Sequence, residues 1–85
     1  MSISRITTVD DVYRFVDRLK LEANSHGAAA LATQLDDALH LGSSGLEILG
    51  AIRQTLITNR TSIEQLLGPS GKEEADQVIA FVTRV

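Results

Sequence analysis

Eighty-five residues without a cysteine make one domain, 1–85, that can draw on neither disulfides nor a thiolate metal site. Hydrophobic residues form 44% of the chain, yet only Tyr13, Phe15 and Phe81 are aromatic, so the core must be small and aliphatic. A net charge of −3 offers no positive stripe for nucleic acid, and no apolar run reaches the roughly 18 residues that span a bilayer.

The same punctuation recurs along the chain, Ser or Thr followed three residues later by an acid: Thr8–Asp11, Ser44–Glu47, Thr61–Glu64 and Ser70–Glu73. This is the capping box, in which the hydroxyl accepts from a first-turn N–H and the acid reaches back to the cap's own N–H. After the first box, Val9, Val12, Tyr13, Val16 and Leu19 recur at helical spacing with Phe15 beside them, which predicts a helix over about Val9–Ala23. Asp10 with Arg14 and Arg18 with Glu22 are spaced to pair on its solvated side. Asn24-Ser25-His26-Gly27 interrupts the pattern.

A second helix, about Gly27–Leu41, presents Ala28, Leu31, Ala32, Leu35, Ala38 and Leu39, its alanines implying close helix–helix approach, with Gly42 placed to end it. The third, about Gly45–Asn59, spreads Leu46, Ile48, Leu49, Ile52, Leu56 and Ile57 over half its circumference. That is wider than a one-sided surface helix needs, so this helix is either central to the bundle or part of an interface. Gly50 inside it costs about 1 kcal/mol relative to Ala unless a neighbour approaches closely. A short helix, Ser62–Leu67, is stopped by Gly68-Pro69, and a last one, about Gly71–Arg84, carries Ala75, Val78, Ile79, Phe81 and Val82. The fold expected is therefore all-α: four main amphipathic helices and a short helical connector in one bundle, with short joints favouring antiparallel neighbours.

Candidates for chemistry gather near the 42–45 joint. His40, Ser43 and Ser44 are close in sequence, with Asp36 one turn before His40. Gly42-Ser-Ser-Gly45 is not a nucleophile elbow, however, and no strand exists to carry one. Ser44 reads better as a helix cap, and His40 as a group near a helix C-terminus. A metal site fares no better, because His26 and His40 fall at opposite ends of one expected helix, ~20 Å apart. An anion at the glycine-rich joint would meet Glu47. No catalytic, cofactor or metal residue is therefore assigned, and no enzymatic activity. What stands out is charge: residues 1–22 and 51–85 each balance, and the whole negative excess lies on Asp36, Asp37 and Glu47. With His40 these form a candidate acidic interaction patch.

Leu41-Gly-Ser-Ser-Gly-Leu-Glu-Ile-Leu49 resembles the acyl carrier signature L-G-x-D-S-L-x-x-x-E-L, and Ser62–Leu67 is similar to the carrier's short third helix. The resemblance covers about ten residues and places Gly45 where the serine that bears phosphopantetheine belongs. Residues 28–41 also read as a helix where carriers have a long loop. The longer join from Leu35 to Leu49, L-x-x-A-L-x-x-G-S-x-x-x-E-x-L, resembles one in short uncharacterised helical proteins of bacterial genomes and mobile elements, a family that implies no particular chemistry.

The function expected from the residues is a non-enzymatic protein-interaction or accessory module. So small a core supplies only about 3–5 kcal/mol, which makes self-association, as a homodimer, the expected supplement. Its candidate apolar interface is Leu21, Leu41, Ile48 and Ile57, with the acidic 36–47 region setting the polarity of a protein partner. A small-ligand binder is the alternative, with a pocket lined by Tyr13, Phe15 and Phe81 and an acid selecting a cation; a divergent carrier ranks below it. No cofactor is expected. A cysteine-free chain whose N-terminus does not read as a signal peptide suits a cytoplasmic location.

Overall fold

In the computed structural model, which describes residues 6–41 and 44–84, the elements are α1 (Val9–Ser25), α2 (Ala29–Leu39), α3 (Gly45–Thr58) and α4 (Arg60–Arg84), with no strand among the described residues. The chain is all-α. Helix α1 begins at its capping box: the Thr8 hydroxyl accepts from the Asp11 N–H at 3.2 Å, while the Asp11 carboxylate accepts from the Thr8 N–H at 3.1 Å and the Thr7 N–H at 3.0 Å. At Ser44 only the hydroxyl half forms, accepting from the Glu47 N–H at 3.2 Å.

Two of the expected caps do other things. Thr61 lies inside α4, because Asn59 alone separates α3 from α4: its side-chain amide donates to the Thr55 carbonyl at 2.8 Å, and its carbonyl accepts from the Ile63 N–H at 3.0 Å. Ser70 lies past the start of the last segment. Gly68, at φ 74° and ψ −172°, breaks α4 into 60–67 and 69–84, and Pro69 takes the first helical position, where its missing N–H leaves no gap in the ladder. Gly42, expected to close the second helix, lies outside the described residues; α2 itself is shorter than expected and ends at Leu39.

Each helix packs against its neighbours in sequence, and α4 closes the ring against α1. Polar ties fix the register. Lys20 reaches Asp36 across α1 and α2, Asn59 reaches Gln34 beside α2, Arg53 and Arg60 reach Thr83 and Asp76 on 69–84, and Arg18 reaches Glu74 between α1 and α4. The pairs 53/83 and 60/76 run in opposite senses, so 69–84 returns antiparallel along the chain that precedes it. The bundle is thin, 35 × 30 × 19 Å, about two helix diameters deep. Segment 60–67 lies across the end where α1 turns into α2, its Ser62, Gln65 and Leu66 forming a groove with His26, Gly27 and Ala28. No described helix is long and apolar enough to cross a membrane.

The core is wholly aliphatic apart from Phe15, and no polar or charged residue is buried among those described. Helix α1 buries Val12, Phe15, Val16, Leu19 and Ala23, a stripe centred on Phe15 that leaves Val9 partly outside. Helix α2 buries Leu31, Ala32, Leu35 and Ala38. Of the two roles open to its wide apolar face, α3 is not central: it buries only Leu49, Ile52 and Leu56, while Leu46 and the interface candidate Ile57 face outward. Ala75 and Val78 of α4, with Ile6 and Ile63 from outside every periodic run, complete the core. The expected Arg18–Glu22 pair is replaced by Arg18–Glu74 at 2.7 Å, with the guanidinium also 5.5 Å above the Phe15 ring.

Two helical glycines occupy opposite surroundings. A Cβ at Gly50 would meet nothing within 4 Å, whereas one at Gly71 would fall on the Cβ of Leu67. Gly50→Ala should therefore raise the unfolding free energy by about 0.5–1 kcal/mol through the lost entropy of glycine. Gly71→Ala should lower it by about 1–3 kcal/mol through overpacking. Urea unfolding followed by circular dichroism checks the two signs side by side.

Candidate functional site

Asp36, Asp37 and His40 sit on the last turn of α2 and its C-cap, and Glu47 on the first turn of α3. The structure divides them. Asp36 is tied to α1, its carboxylate accepting from Lys20 Nζ at 2.9 Å. That hydrogen bond and the lysine's charge hold the Asp36 carboxyl below its ordinary value of 3.8. The His40 ring turns back on its own helix, with Nδ1 2.8 Å from the Asp36 carbonyl oxygen and 3.9 Å from the carboxylate. Asp37 and Glu47 are exposed and make no ion pair among the described residues. Lys20 thus neutralises one of the three acids, and the uncompensated charge rests on the other two.

The catalytic and metal candidates do not come together. The Ser44 hydroxyl is engaged as a helix cap and His40 faces Asp36, so no hydrogen bond joins Ser44 to His40; Ser43 lies outside the described residues. His26 and His40 close different helices, α1 and α2, instead of bounding a single one. His26 Nε2 is 3.2 Å from the Glu22 carboxylate one turn earlier. No group of three or more His, Cys, Asp or Glu side chains among the described residues could hold a metal.

The apolar candidates are equally dispersed. Leu21 is 69% exposed, but it stands on the face of α1 opposite the buried stripe, among Asp17, Arg18, Asn24 and Ser25 at helical spacing. A single leucine among charges is ordinary surface. Ile48 is half-buried against the core. Leu41 is different: it is 67% exposed at the end of α2, and Leu46, 67% exposed at the start of α3, lies at the same end of the bundle. Five residues of chain bring their Cα atoms within about 19 Å at most. Leu46, Gly50 and Ile57 then continue along one edge of α3, all exposed. In the sequence Leu46 belongs to the wide apolar face of α3, open between core and interface, and is not among the four named interface residues. Its neighbours Gly45 and Glu47, both unable to extend an apolar surface, were the available signal that this turn looks outward.

Three grooves among the described residues have no aromatic residue in their lining. One of about 360 Å³ lies between the α1–α2 turn and segment 60–67, lined by His26, Gly27, Ala28, Ser62, Gln65 and Leu66. Another of about 360 Å³ is lined by Arg60, Thr61, Glu64 and Lys72. A third of about 240 Å³ involves Arg18, Glu22, Leu67, Ser70, Gly71 and Glu74. Phe15, expected to line a ligand pocket, is 2% exposed and belongs to the core, with Tyr13 and Phe81 half-buried against it. Compared with family models, with curated proteins and with solved structures, the chain matches none.

The Lys20–Asp36 tie has a pH signature. Because the folded pKa of Asp36 is depressed, its contribution to stability is fully present above 3.8 and is lost as pH falls through the lower folded value. Lys20→Met should move the Asp36 carboxyl back towards its ordinary value and remove that part of the acid limb. An NMR titration of the side-chain carboxyl carbons, beside acid unfolding of both proteins, reads the change.

Proposed function

We propose that this chain is a protein-interaction module with no chemistry of its own, and that it docks a basic, partly apolar segment of another protein on the end formed by α2 and α3. One observation carries the reading: Leu41 and Leu46, each 67% exposed, stand at the same end as Asp37 and Glu47, two exposed acids that make no ion pair among the described residues. The opposite end supplies the contrast. There, segment 60–67 lies across the bundle and its Ile63 is fully buried. At the α2–α3 end no described segment gives Leu41 and Leu46 that cover.

Charge selects the occupant. A two-fold contact through this end would set the same patch against itself, bringing Asp37 and Glu47 near their own copies. A segment with lysines or arginines beside leucine-like side chains meets both halves of the surface, the apolar part giving affinity and the charges orientation and rate. Gly50 presents no side chain on the edge of α3 that Ile57 continues, and Arg53 between them is drawn aside to Thr83. An accessory subunit or adaptor acting inside the cell, bound through one helical segment of its partner, fits these features.

A synthetic amphipathic Lys/Leu helix and its Glu/Leu counterpart test the polarity, with binding measured by calorimetry at low and physiological salt. The basic peptide should bind, more weakly as salt rises, and the acidic one should not. Leu46→Ser should weaken binding at least about tenfold, since burying one leucine is worth roughly 1.5–3 kcal/mol, while leaving the helix content unchanged. Equal binding of both peptides, or no effect of Leu46→Ser together with Leu41→Ser, would sink the assignment.

A further inference from the structure

Helix α4 is two helices joined by an elbow, and the chemistry of the elbow is unusually explicit. Gly68 has φ 74° and ψ −172°, a region reserved almost entirely for glycine. Pro69 follows, and Gly71 is buried against the side chain of Leu67, so that even a methyl group at 71 would displace it. Beyond the elbow, 69–84 forms an arm. Ala75 and Val78 enter the core, Ile79, Phe81 and Val82 pack at its margin, and three surface ties complete the attachment. These are Arg18–Glu74 at 2.7 Å, Arg60–Asp76 at 2.9 Å and Arg53–Thr83 at 2.9 Å. Partly exposed pairs of this kind are individually weak.

Two preferences reinforce each other at this point. The residue before a proline avoids the α conformation, and a proline inside a helix collides with the carbonyl four residues back, here that of Gln65. Pro69 therefore holds the elbow bent. Without it, Arg60–Arg84 can continue as one straight helix of 25 residues, and a straight α4 cannot reach the groove of its own bundle. One surface already matches the arm in shape, apolar pattern and charge, the same groove in another copy, with its own Arg18, Arg53 and Arg60.

We propose that Gly68–Gly71 is an exchange elbow: bent, it keeps the arm 69–84 on its own chain; straightened, it delivers the arm to a second copy, giving an arm-swapped dimer. Pro69 and Gly71 act in the same direction upon it. Pro69 excludes the straight form, and Gly71 permits the bent one by leaving room for Leu67. The device uses none of Asp37, Leu41, Leu46 or Glu47 and stands apart from the docking reading.

The chain has no cysteine, so Arg18→Cys with Glu74→Cys creates a single thiol pair. A short bis-maleimide then reports which chain the arm lies on. In the otherwise native sequence the links should form within one chain. Adding Pro69→Ala should raise the ratio of straight to bent elbows on the order of a hundredfold, shifting links to between chains, with a dimer by light scattering at the same concentrations. Gly68→Ala, which strains the bent form directly, should act in the same direction. Links that stay within one chain in both variants across a concentration series overturn the proposal, as does a dimer whose arms are linked only within their own chains. Leu41→Ser with Leu46→Ser should leave the link pattern unchanged, so the docking face and the elbow fail separately.

Discussion

The last third of the chain reaches the core by way of one contact, Leu67 against the backbone of Gly71. Segment 60–67 must lie across the end of the bundle to bury Ile63, and 69–84 must then return along α3 and α1 to deliver Ala75 and Val78. Both are possible only if the chain reverses within a few residues and the two pieces touch at the bend. Gly68 supplies the backbone angle, Pro69 starts the new helix without a donor to satisfy, and Gly71 supplies the space. Take away that closeness and 69–84 no longer lies against α1 and α3, and Ala75 and Val78 leave the core.

How far the fold could be read from residues depended on how local the governing interaction was. The Thr8 box and the α2 stripe involve residues within two turns of each other, and both form as their spacing implies. Thr61 did not become a cap because Asn59, two positions earlier, already bonds to Thr55 and lets α4 follow α3 almost without interruption. Periodicity found the apolar residues of α3, yet it has no knowledge of where a neighbouring helix stops, so it could not say that Leu46 and Ile57 turn outward while Ile48 packs against the core. Ile6 and Ile63 escaped for the converse reason: a single isoleucine beside a cap or in a two-turn helix sets up no period, though a tertiary neighbour waits for it. Gly-Pro was legible as a stop. That Gly71 must stay a glycine is a fact about Leu67 in three dimensions.

The acidic region shows the same division. Its excess charge was visible by counting, but the count could not say that Lys20 would lie across from Asp36, because that needs the register of α1 on α2. With the register known, the patch shrinks to Asp37 and Glu47 and acquires two leucines as companions. The two ends of the bundle thereby differ: segment 60–67 lies across one, and at the other Leu41, Leu46, Asp37 and Glu47 are exposed.

An interior with no buried polar side chain among the described residues also has a cost in information. Aliphatic groups attract one another without direction, so such a core tells four helices to associate but discriminates weakly among rotations and slips of one against the next. In this bundle direction is delegated to the perimeter, to Lys20–Asp36, Arg18–Glu74, Arg60–Asp76 and the Asn59–Gln34 bond. Three of those four are ionic and open to solvent. Concentrated salt, which strengthens burial or leaves it intact while screening charges, acts on the two halves of that arrangement differently. The helices would stay together while the instructions for their alignment faded, a molecule still condensed but less singular in shape.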